Sequence, residues 1–135
     1  MSFLPEPELL RELLLHGRGV LALPGGGCAR YVFSEDVNFR RADDGRLLVR
    51  VERGNASYRE LVHRSGMNLH LVVRRNPDLT EALLLVLHGH LVDREAGTES
   101  ELQVTGAYLE EESGRRTPLA PATLGLRAPL ENRLP

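Results

Sequence analysis

Gly45 to Val73, GRLLVRVERGNASYRELVHRSGMNLHLVV, constrains this chain more than any other stretch. A turn at Asp43-Asp44-Gly45 leads into an alternating segment. Leu47, Val49 and Val51 share one face, and Leu48, Arg50 and Glu52 share the other, the pattern of a strand with one side in a core. A polar loop follows at Gly54-Asn55-Ala56-Ser57-Tyr58-Arg59, then a short run with helical spacing at Leu61 and Val62. A second apolar segment, Leu69-His70-Leu71-Val72-Val73, completes the unit. Two strands joined through a loop carrying a hydroxyl and a guanidinium form a scaffold suited to a small anionic ligand.

With 135 residues, the chain fits a single domain spanning 1–135 with one core. Its net charge of −2 provides no general attraction to nucleic acid or acidic membranes, and 4% aromatic residues with no Trp leave few stacking platforms for single strands. No nucleic-acid partner is expected. All 17 basic residues are Arg, so any phosphate site must use the planar guanidinium fork. The single Cys28 excludes an internal disulfide and a multi-cysteine zinc site. The N-terminus shows no basic signal region, and no apolar run reaches the ~20 residues that span a bilayer. The expectation is a cytoplasmic protein without a membrane partner.

Pro5 to His16 is predicted as the first helix. Pro7 and Glu8 suit its first turn, Leu9, Leu10, Leu13 and Leu14 form its apolar stripe, and Gly17 and Gly19 stop it, Gly17 at the expected C' position. Val20 to Leu23 reads as a buried strand, Pro24 to Gly27 as a turn and Arg30 to Phe33 as the returning strand. Gly25-Gly26-Gly27 lacks the GK[ST] sequel of a phosphate loop and is read as part of that turn. Ser34-Glu35-Asp36 is predicted to cap a turn, and Val37 and Phe39 to end a strand. Leu83 to Val92 fits a buried strand or a helix begun by Asn76 and Pro77, and periodicity leaves both open. Glu99 to Glu112 is the second helical candidate. Leu124 to Arg127 is predicted as a last short strand within a Pro-rich C-terminal segment, residues 115–135, partly extended.

Together these pieces resemble the pyridoxamine-5'-phosphate-oxidase-like split barrels, small dimeric β-barrels that usually hold FMN. Val20-Leu21-Ala22-Leu23 is similar to the run ending the family's first strand, and Asp43 to Val49 to its "DDGRLLV" strand. Ser57 and Arg59 stand at its serine-x-basic spacing. The resemblance covers roughly residues 8 to 95. It implies a mainly β (α+β) fold: a split β-barrel with an N-terminal helix and one or two short additional helices, Leu83 to Val92 being a strand. It also implies a homodimer with the ligand at its interface, to which a Leu-rich strand such as Leu83 to Leu87 would contribute.

On residue chemistry alone, Ser57 caps a helical turn and Arg59 is solvated, or the two clamp a phosphomonoester. The resemblance implies the phosphate, with Arg50 and Arg30 as lesser candidates and Leu47 to Val51 backing the ring. The expected function is FMN binding, or binding of another small phosphorylated ligand. Any oxidoreductase chemistry would be carried by the flavin, and no side chain is assigned as acid or base. One alternative is a non-enzymatic dimeric interaction barrel with a degenerate cofactor site. Another is a cupin-like metal-binding barrel using His88 and His90, which on a strand point the same way, with Glu95 beyond. The favoured reading includes no metal.

Overall fold

The computed structural model describes residues 5–24, 31–50, 66–73, 83–93 and 99–127. One helix, α1 (Pro7–Leu13), precedes seven strands: β1 (His16–Pro24), β2 (Tyr31–Arg41), β3 (Leu47–Arg50), β4 (Gly66–Val73), β5 (Leu83–Asp93), β6 (Glu99–Glu110) and β7 (Arg116–Leu119). A 3-10 turn at Pro121–Leu124 follows. The sheet order is β3-β2-β1-β4-β5-β6-β7, and β3 also pairs with β6. The first six strands therefore close into an antiparallel barrel, while β7 extends β6 as an outer arm. Closure removes the exposed edges that β3 and β6 would otherwise present. Among the described residues, no helix is long and apolar enough to cross a membrane.

Strand parity decides which side chains fill the barrel. Leu21, Phe39, Val49, Met67, Leu69, Leu85, Leu87, Leu102 and Leu109 are all buried in one core. In a barrel of so few strands the interior is filled by side chains, here those of the described strands. One end is plugged by Leu10 and Leu14 of α1 together with Leu124 and Leu126. Arg41 ties this plug down by donating from Nη1 to the Leu124 carbonyl at 2.8 Å. Gly45, at φ 87°, accepts from the Arg127 amide at 3.0 Å. The left-handed backbone and the close approach of Arg127 both require glycine here.

Several sequence expectations change. The stretch from Glu99 to Glu110 is a strand, because its alternating Leu102 and Val104 and later Ala107 and Leu109 are buried in the barrel core. Gly17 and Gly19 do not end the helix. They lie within β1, facing inward, where Phe39 packs against Gly17 and Leu71 over Gly19. A Cβ at Gly19 would come 2.5 Å from Leu71 Cδ2, so the missing side chain makes room for the core. Ser34-Glu35-Asp36 forms no turn but runs through β2 opposite Ala22, Leu21 and Val20. Leu124 to Arg127 is no strand: the 3-10 turn ends at Leu124 and Gly125 follows at φ 77°. Leu83 to Val92 is a strand, as the resemblance implied.

A register shift between His88 and Gly89 marks a bulge, where β5 passes from Gly106 to Val104 on β6. A Cβ at Gly89 would run into the backbone carbonyl of Gln103, whereas one at Gly106 meets nothing within 4 Å. Gly89→Ala is therefore expected to cost about 2–3 kcal/mol, and Gly106→Ala to be neutral or stabilising by up to about 1 kcal/mol. Urea denaturation midpoints of the two variants check this, and equal midpoints would contradict the bulge packing.

Candidate functional site

Because the interior is filled, chemistry is left to the outer wall and the unplugged end. Strand direction places the ends of β1, β3 and β5 and the starts of β2, β4 and β6 together at that end. Arg30, Ser57 and Arg59 lie outside the described residues. Arg50 is described. It closes β3 with its side chain exposed, opposite Asn38 on β2 and Glu99 on β6.

Around Arg50 the wall forms a cleft of about 330 Å³ lined by His16, Asn38, Phe39, Arg40, Arg50 and Glu99. Arg40 donates to Glu99 through both Nε and Nη2, at 2.9 and 3.0 Å. This forked pair reaches across β3 from β2 to β6 and neutralises the one carboxylate lining the cleft. Arg50, His16 and the Asn38 amide complete the cleft's polar lining among the described residues. The sequence reading identified Arg50 but missed Arg40, Asn38, His16 and Glu99. Outward parity on β2 marks Asn38 and Arg40 as wall residues. The meeting of Arg40 with Glu99, 59 positions away, depends on barrel closure.

A second polar group lies on the outer face of β4 and β5. In β4 the inward Met67, Leu69, Leu71 and Val73 alternate with Gly66, Asn68, His70 and Val72. His88 stands opposite Asn68, and His70 opposite both Val20 and Val86. Asn68 Oδ1 lies 2.6 Å from His88 Nδ1. As a carbonyl oxygen it accepts, so Nδ1 carries the proton. Burial holds the His70 imidazole below its usual range against the opposing pull of Glu110. Burial, and then the neighbouring His90, lower His88 as well. His88 and His90 share the outer face as parity required, with ring centroids 6.3 Å apart. Among the described residues, no three His, Cys, Asp or Glu side chains converge into a metal cluster, and Glu95 lies outside them.

These histidines set a pH dependence. An unfolded imidazole takes its proton near ~6.5, whereas His70 and His88 in the barrel take theirs only at lower pH. Between the two values the unfolded chain binds more protons, so stability falls as pH drops through ~6.5, and the loss is complete below the folded value. The melting temperature should therefore be lower at about pH 5.5 than at about pH 7.5, and the difference should shrink in a His70→Gln/His88→Gln variant. An unchanged pH slope in that variant would place the titration elsewhere.

No family model matches this chain, and no curated protein matches it. Solved structures do. One superposes with a TM-score of 0.61 at 14% identity, covering 90% of this chain and 95% of that one. The heme binding protein from Mycobacterium smegmatis superposes with a TM-score of 0.59 at 13% identity, over 94% of this chain. This chain spans 63% of the length of that protein. At such identities the likeness is one of fold: a closed six-strand barrel, compatible with the split-barrel architecture and shared with a protein that binds a cofactor.

Proposed function

We propose that this chain is a cofactor-binding split barrel whose ligand is FMN, held on the outer wall with its phosphate near Arg50. One observation carries the reading: among the described residues the barrel interior is packed with side chains, while Arg50 lies in a wall cleft beside the forked Arg40–Glu99 pair. Ser57 and Arg59 follow Arg50 by a few positions and would add a hydroxyl and a second fork to the phosphate. Bound flavin would supply any hydride or electron chemistry, and the chain would supply position and charge.

A tetrapyrrole is the second reading. The neighbour binds heme, and the outer wall around His70 offers a neutral imidazole between Val20 and Val86. A purified protein carrying a yellow chromophore released on denaturation supports the flavin. A Soret band on titration with hemin supports the tetrapyrrole. A colourless protein that binds neither is the interaction barrel with a degenerate site.

For FMN, Arg59→Ala and Arg50→Ala each remove charge-assisted hydrogen bonds worth about 1.5–3 kcal/mol, or roughly ten- to a hundredfold in affinity. Riboflavin, lacking the phosphate, should lose far less. Arg59→Lys should recover only part, because a point charge replaces the fork. Equal loss for both ligands, or no loss, would remove the phosphate clamp.

The proposed assembly is a homodimer. Val72 is 57% exposed and paired outward with half-buried Leu84, an apolar pair suited to cover by a second copy. Within Leu83 to Leu87, Leu85 and Leu87 face the core and the outward Val86 is buried, so Leu84 is the element's half-exposed outward contribution. Light scattering at micromolar concentration should give a dimer mass and Val72→Asp a monomer. A monomeric wild type would rule out the dimer.

A further inference from the structure

We propose that His88 and His90 form a two-imidazole site for a borderline divalent transition-metal ion, above a notch left open by Gly66. Four side-chain positions on two strands build it. His88 and His90 alternate on β5, so both leave the same face, and the ladder sets Asn68 opposite His88 and Gly66 opposite His90. Asn68 Oδ1 accepts from the His88 Nδ1–H at 2.6 Å, which leaves the lone pair on Nε2. Carbonyl-fixed tautomers of this kind orient histidines that ligate metals. The freed Nε2 borders Gly66, 3.3 Å from where a Cβ would stand, and His90 Cε1 is 3.9 Å from the same point.

Gly66 is not at a positive φ, unlike Gly45, Gly114 and Gly125, so its backbone does not demand glycine. What glycine provides here is space between two imidazole edges, since a Cβ would sit 3.0 Å from His88 Cε1. With metal–nitrogen bonds of about 2.0–2.1 Å, two imidazole centroids around a tetrahedral ion lie about 5 Å apart. The ring centroids here are 6.3 Å apart, so bringing the two rings closer by about 1 Å reaches that spacing. Two nitrogen ligands leave the other positions to water, and imidazole ligation ranks Cu²⁺ above Ni²⁺ and Zn²⁺.

The test titrates the full chain with Cu²⁺ by calorimetry and records the electron paramagnetic resonance spectrum of the complex. One equivalent with hyperfine structure from two nitrogens is expected. His90→Gln, at an exposed position that leaves the metal-free melting temperature unchanged, should weaken binding by at least tenfold and reduce the coupling to one nitrogen. Asn68→Ala should weaken it about ten- to a hundredfold while retaining both nitrogens, because it only orients His88. Gly66→Ala should weaken it by filling the notch. Equal binding by the wild type and a His88→Gln/His90→Gln variant, or a spectrum without two-nitrogen coupling, would overturn the site. Neither outcome bears on FMN, whose proposed contacts lie on other residues.

Discussion

The pairing of β3 with β6 is the constraint on which the rest depends. Without it the first six strands form an open sheet with two unsatisfied edges; with it they form a barrel. The seam is short. Leu47 to Arg50 meets Leu102 to Glu99 in four paired positions, against ten between β5 and β6. Two ion pairs stand at this joint. Arg40 spans β3 to reach Glu99, and Arg127 brings the C-terminal segment onto Glu101, the residue opposite Leu48. Leu48 lies opposite in parity to the inward Leu47 and Val49 yet is fully buried.

Closure also decides where a ligand can go. A wide barrel can hold a ligand inside, but six strands lined with Leu, Met, Val and Phe fill themselves. One end is then stopped by α1 and the 3-10 turn, so the outer wall and the opposite pole remain. Polar groups collect on that wall: the Arg40–Glu99 fork beside Arg50, and the Asn68–His88 pair beside His90. The two groups use different strands, so a phosphate-bearing cofactor and a metal ion would not compete for side chains.

The fold class and much of the strand content were legible because burial on one face imposes a period of two. Leu47 and Val49 in β3, and Met67, Leu69 and Leu71 in β4, show it plainly. Reading failed where that period was broken or masked. Gly17 and Gly19 resemble a helix stop, because their role is to admit Phe39 and Leu71 from other strands. From Glu99 to Glu110 the register slips at the bulge near Thr105, so the inward set passes from Leu102 and Val104 to Ala107 and Leu109. A slip of one residue imitates helical spacing, and this strand was read as a helix.

For the candidate site, the sequence by itself determined the chemical inventory: guanidinium as the sole strong cation, a hydroxyl near Arg59, and two histidines on one face. Local geometry is enough for that, since parity relates residues two apart on a strand. Only the tertiary structure decided which groups meet. Arg40 with Glu99 and Asn68 with His88 come from register and closure, which depend on the summed packing of all six strands rather than on any local pattern. It also decided that the inward side chains of the described strands pack into one core, because only the assembled barrel brings all six strands' inner faces together.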